Sequence, residues 1–210
     1  MKKMLVSAAL ALFATAPALA ATSGFLVDFE KNWDYSNGDV NGFYSGGTAA
    51  DASFGTNLGV SFVNVSGLSN DADFTYYAGA PSSQGTAYAH TFAATDQAFM
   101  NVDAGVVGEL KFYYSSPQAV TGAVKAYDGL NGTGTLLGTF DLSANTAAAT
   151  YDTWTPVTFA FTGTAKSFDL TASANVVGLD NISAVPEADS LLMMLAGGSL
   201  LLGVANRRRA

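Results

Sequence analysis

Gly108-Glu109-Leu110-Lys111-Phe112-Tyr113-Tyr114 and, further along, Val157-Thr158-Phe159-Ala160-Phe161 carry clear alternation. In the first, Leu110 and Phe112 fall on one side, Glu109 and Lys111 on the other. In the second, Val157, Phe159 and Phe161 share a side against Thr158 and Ala160. Successive side chains of an extended chain point to opposite faces, so a period of two marks a strand with one face buried. Working outward, short segments bounded by Gly, Asn, Asp and Ser repeat the pattern. They are Gly24–Glu30, Gly59–Val65, Ala87–Phe92, Gln97–Val102, Thr121–Tyr127, Leu136–Leu142, Ser167–Ala172 and Val176–Ser183, besides Gly108–Ser115 and Thr155–Phe161 at the quoted stretches. Such strands without helical crossovers predict an all-β, antiparallel two-sheet β-sandwich of jelly-roll type. A transmembrane β-barrel is the rival all-β fold, but its strands run about 9–11 residues between aromatic girdles, and most here are shorter.

Both ends of the chain stand apart from this pattern. Residues 1–20 have the parts of a secretory signal peptide: Lys2 and Lys3, an apolar stretch from Met4 to Ala16, and the small-x-small cleavage pattern at Ala18 and Ala20. Export machinery of the Sec type is the expected partner. At the other end, residues 185–210 begin with Val185-Pro186-Glu187-Ala188, continue through an apolar run from Leu191 to Ala205, and close on Arg207-Arg208-Arg209. As a helix that run is about 22 Å long, short of the roughly 30 Å hydrocarbon core. The arginines favour the cytoplasmic face. A single C-terminal hydrophobic helix that holds the chain transiently in the inner membrane is expected.

Residues 21–184 remain as one domain, large enough for a real core. Four lysines against 15 of the chain's 17 acids leave it near −11. Such a surface repels nucleic acid and attracts divalent cations. No cysteine is present, which excludes thiol catalysis and thiolate metal sites.

Among chemistry-bearing residues, His90 is the only histidine and sits inside a strand-like segment with no nucleophile elbow, so a structural role is expected. Glycoside hydrolysis needs two facing carboxylates across a cleft, and the sequence singles out no such pair. Asp28 and Glu30 alternate with Phe25, Val27 and Phe29, so both project from one face of the first strand, about 6.7 Å apart. With Asp180 and Asn181 of the last strand they form a candidate structural calcium site, since calcium takes six to eight hard oxygens. The alternative is that these are solvated edge charges. Two long loops, residues 31–47 and 70–85, carry Trp33, Tyr35, Tyr44 and Tyr76, whose rings beside Asn and Asp suit sugar faces. The alternative is that they pin their own loops to the core.

The tail resembles the PEP-CTERM sorting signal of exported bacterial proteins, with Ala188 where a second proline is usual. The resemblance implies recognition and removal of the tail by an exosortase at the inner membrane of a Gram-negative cell, and release to the surface in an exopolysaccharide or biofilm setting. Val27-Asp28-Phe29-Glu30 and Gly178-Leu179-Asp180-Asn181-Ile182 also resemble the terminal strands of carbohydrate-binding-module-like domains, in which matching acids often hold calcium. The expectation is therefore a non-enzymatic exported surface or matrix protein, with a lectin-like module as the alternative and a glycoside hydrolase behind both.

Overall fold

The computed structural model describes residues 24–69, 77, 79–147 and 150–185. Nine strands are present: β1 Phe25–Val27, β2 Val60–Val63, β3 Val65–Ser69, β4 Gly85–Ala89, β5 Phe99–Ser115, β6 Val120–Tyr127, β7 Leu136–Leu142, β8 Thr155–Asp169 and β9 Gly178–Ala184. All pairings are antiparallel, and no α-helix occurs among the described residues. The leader, the apolar run 191–205, Pro186, Glu187, Ala188 and Arg207–Arg209 lie outside those residues.

Two long strands organise the sandwich. Segments expected as separate strands, Gln97–Val102 with Gly108–Ser115 and Thr155–Phe161 with Ser167–Ala172, run together as β5 and β8. The strands are therefore linked in one ladder, ordered β3-β4-β9-β5-β8-β6-β7, with β1 on β9 and β2 on β5, in place of two independent sheets. The physical reason is that both strands bend without breaking. In β5 the register slips between Asn101 and Val106 and again between Val107 and Glu109, beside Gly105 at φ 81° and Gly108 at φ 80°. Such bulges bend a strand, and glycine takes positive φ at no steric cost.

On either side of the bend, β5 serves a different layer. Its first half pairs with β2 and the end of β8, Met100 opposite Phe168; its second half pairs Leu110 with Phe159 and Tyr114 with Leu179 of β9. Met100, Val124 and Phe168 from one layer meet Leu110, Phe112 and Leu179 from the other around an interior space of about 10 Å³. The alternation does what it promises: Leu110, Phe112 and Phe159 are buried, while Glu109 and Lys111 form an outward ion pair at 2.7 Å.

β9 positions the terminal region. One edge pairs with β5; along the other, β4 takes Gly178 and Leu179 and β1 takes Ile182, Ser183 and Ala184. Between these partners Asp180 and Asn181 are left over, and Asn181 adopts φ 47°.

Candidate functional site at the terminal strands

The junction on β9 draws in three chain segments. Asp180, fully buried, accepts from the Ser82 amide at 2.8 Å through Oδ2 and from the Asn181 amide at 2.7 Å through Oδ1. Asn181 Oδ1 accepts from the Ser82 hydroxyl at 3.0 Å. β1 stops at Val27, sooner than expected, because Phe29 turns into the left-handed region at φ 53° and swings its ring into the core. Beyond that turn Asp28 Oδ1 accepts from the Glu30 amide at 3.2 Å, and Glu30 Oε1 from the Gln84 amide at 2.8 Å. Asp180 thus fastens the segment before β4 onto β9, and Glu30 fastens the end of β1 onto the same segment.

Burial pushes the Asp180 carboxyl up to about 6, against the hydrogen bonds from Ser82 and Asn181 and with help from the Glu30 charge. The Tyr44 hydroxyl is also raised, by burial first and then by the charges of Asp28, Asp180 and Glu30. The charges of three carboxylates therefore act on one phenol. The nearest lysine in sequence, Lys31, is committed to an ion pair with Asp51. Hydrogen bonds from Lys31 and Ser53 outweigh the effect of burial and hold Asp51 down to about 2. The donor set of Asp28, Glu30, Asp180 and Asn181 suits a hard cation in its chemistry. Among the described residues, however, no three acidic or histidine side chains gather closely enough to share an ion.

The rings expected to face sugars do something else. Trp33 is 4% exposed and Tyr44 5%. Trp33 Nε1 donates to the Phe29 carbonyl at 2.8 Å, its ring lies under Lys31 Nζ at 4.2 Å, and a Cβ on Gly67 would stand 2.3 Å from it. Tyr44 packs edge-on against Phe29 at 5.9 Å and Phe43 at 4.9 Å. Both are too buried to serve as a stacking face, though Tyr44 borders an open groove; both pin the loop between β1 and β2 to the core, because burying such rings removes large apolar area from water. Tyr35 lies in the turn Tyr35–Asn37, capped by Asp34, and Tyr76 lies outside the described residues.

His90 Nε2 contacts Asp39 Oδ1 at 2.8 Å, and the Ser66 hydroxyl donates to the same oxygen. The carboxylate stands between hydroxyl and imidazole, so the histidine does not take a proton from Ser66. This is a clamp between β3 and the end of β4. Asp180, with its raised carboxyl, is sealed from solvent with both oxygens engaged, an arrangement that does not present an acid to a glycosidic bond.

Outside Tyr44 an open groove of about 540 Å³ is lined by Leu26, Asp28, Glu30, Phe43, Phe54 and Leu58, among others. Phe54 is 75% exposed. The sequence did not single it out, for it lies in Asp51-Ala52-Ser53-Phe54-Gly55, outside any alternating run.

No family model matches the chain, and no curated protein matches it. Among solved structures, the K1 cleaved adhesin domain of Lys-gingipain from Porphyromonas gingivalis W83 is similar over 79% of this chain and 99% of that one, at 13% identity and TM-score 0.45. The CBM22-1 xylan-binding domain from Paenibacillus barcinonensis is similar over 78% of this chain and 96% of that one, at 13% identity and TM-score 0.37. A glycoside hydrolase family 43 arabinoxylan arabinofuranohydrolase from Bacillus subtilis is similar over 53% of this chain and 24% of that one, at 18% identity and TM-score 0.36. Likenesses this distant carry no role over to the chain.

Proposed function

We propose that the chain is a non-enzymatic, exported cell-surface or extracellular-matrix protein, sorted and processed at the inner membrane through residues 185–210. The observation that carries this reading is the pairing of Phe25 with Ala184, Leu26 with Ser183 and Val27 with Ile182. It sets the chain's entry into the sandwich and its exit side by side, with Val185 58% exposed. A leader and a tail attached there leave from one end, so the tail can be held at a bilayer and cut without opening the sandwich. In this account Pro186 and Glu187 mark the processed region, and Arg207, Arg208 and Arg209 stop transfer. Structural calcium at Asp28, Glu30, Asp180 and Asn181 belongs to the same proposal, supported only by the hard-oxygen chemistry of these four side chains near the junction of the first and last strands.

The test is intact-mass analysis of surface-extracted protein from an exosortase-bearing host making the full chain. The expected mass lacks Arg207–Arg209, and replacing Pro186 and Glu187 by alanine leaves the uncut chain in the membrane fraction. Surface protein that still carries the arginines overturns the reading.

A further inference from the structure

We propose that the groove bounded by Leu26, Phe54, Asp28 and Glu30 binds a neutral polysaccharide, with Phe54 as the stacking platform and the two carboxylates as hydroxyl acceptors. Trp33 is not part of this site, and Tyr44, 5% exposed, borders it without offering a platform; the proposal does not rest on the delivery reading.

The turn that carries the platform is braced before any ligand arrives. Phe54 bridges back to Thr48, the Ala49 amide donates to Ser53 O at 3.0 Å, and Asp51 accepts from the Ser53 amide at 3.0 Å and its hydroxyl at 2.5 Å while pairing with Lys31. A ring held in water on a braced turn forgoes the stabilisation that burying it would contribute, and the turn's backbone has little left to order when a ligand binds. Next to it, only glycine fits at 55: a Cβ there would stand 2.4 Å from the Phe43 ring. The groove wall therefore lies flat against Phe43 and keeps its shape.

The polar side is equally prepared. Asp28 and Glu30 each commit one oxygen to a backbone amide, which orients the carboxylate. Their second oxygens make no hydrogen bond among the described residues, and both residues line the groove. A pyranose ring offers what this arrangement lacks: an apolar C–H face for Phe54 and Leu26, and hydroxyl donors at its edge for charge-assisted bonds to the carboxylates. The volume falls within the roughly 300–1,000 Å³ usual for ligand sites. Two carboxylates in a domain near −11 repel uronate or sulfated polymers, which makes the ligand a neutral one.

Affinity electrophoresis and calorimetry of the full chain in EDTA test the site, with soluble β-1,4-glucan, α-1,6-glucan and galactomannan as probes and alginate as the acidic control. At least one neutral polymer is expected to bind, with alginate inert. Phe54→Ala should raise Kd tenfold or more and Glu30→Gln severalfold, with circular dichroism unchanged and tail removal unaffected. Failure of all neutral probes, preference for alginate, binding that needs calcium, or full affinity in Phe54→Ala would each overturn the proposal. So would a polymer that binds only after Arg207, Arg208 and Arg209 become alanine, since the groove's occupant would then be the chain's own tail.

Discussion

Two aromatic groups of similar make-up sit in opposite situations. Phe159, Phe161 and Phe168 lie along β8, and all three are buried, their rings 5.4–6.4 Å apart. Phe43, Tyr44 and Phe54 lie in the connection between β1 and β2, where one ring is half-buried, one sealed and one almost wholly in water. For Phe159 and Phe161 the pleat decides orientation, since a period of two in a paired strand admits one face to the core; Phe168, of the other parity, follows the bend at Gly163, after which Ser167 and Phe168 are both buried. In the loop no period exists, and each ring's fate follows from its own turn. The Phe29 kink opens a seat for Tyr44, while the bridge between Thr48 and Phe54 turns Phe54 outward. Aromatic content alone therefore says nothing about which rings a ligand can touch.

The largest effect should come from the strand side. Phe159 is 1% exposed and meets Phe140, Phe161 and Phe168. Phe159→Ala should cost about 3–5 kcal/mol, the usual range for a buried Phe cut to Ala. That is a large share of the roughly 5–15 kcal/mol that holds an ordinary domain folded. Urea unfolding monitored by Trp fluorescence would measure it. A loss under about 1 kcal/mol would mean that the two layers meet without needing this ring, and the contrast with the loop would fail.

The same contrast explains what was legible in advance. β7 appears at Leu136–Leu142 as its pattern indicated, and the inward and outward faces of β5 over 109–114 and of β8 over 157–161 follow their alternation, whereas Phe99 to Val102 and the adjacent Ser167 and Phe168 are buried without it. The joining of four segments into two strands was hidden, because Gly105, Gly108 and Gly163 mimic strand ends in a sequence but serve here as bends. At the site, the alternation places Asp28 and Glu30 on one face of the first strand, but β1 ends at Val27 and the turn at Phe29 carries both beyond it; Asp180 and Asn181 do lie on β9. The amides of Ser82 and Gln84 that hold Asp180 and Glu30 were not legible, since they belong to a loop whose docking is a tertiary event. Phe54 was missed because its exposure depends on turn geometry, which composition does not encode.

A smaller effect is expected from the terminal junction, and its sign can be worked out. An unfolded aspartate titrates near 4, whereas Asp180 in the fold sits at about 6. The folded state thus binds the proton more tightly between those values. The contribution is fully present below about pH 4 and is lost as pH rises through 6, by roughly 1–3 kcal/mol for a shift of this size. Asp51, held at about 2, acts the opposite way and loses its contribution as pH falls from about 4 towards 2. Melting from pH 4 to 7.5 in EDTA should show Tm falling with rising pH, more steeply than in Asp180→Asn. Added calcium should reverse that fall, because an ion bound only by the folded, ionised site raises stability. A Tm indifferent to calcium at pH 7.5 would remove calcium from the proposed function. Equal slopes in the two proteins would show that Asp180 is not the titrating group.

The smallest effect sharpens the comparison most. Phe54→Ala removes a ring that is 75% in water, so stability should change by no more than about 0.5 kcal/mol, as for surface substitutions generally. Tyr44→Ala, ten residues earlier in the same loop, should cost several times that, because its ring fills a space between Phe29, Phe43 and Phe62. Measured side by side by denaturant midpoint, the pair separates a ring retained for packing from one that packing does not use. If Phe54→Ala destabilises as much as Tyr44→Ala, then Phe54 is a structural ring, and its exposure no longer marks a place for a ligand.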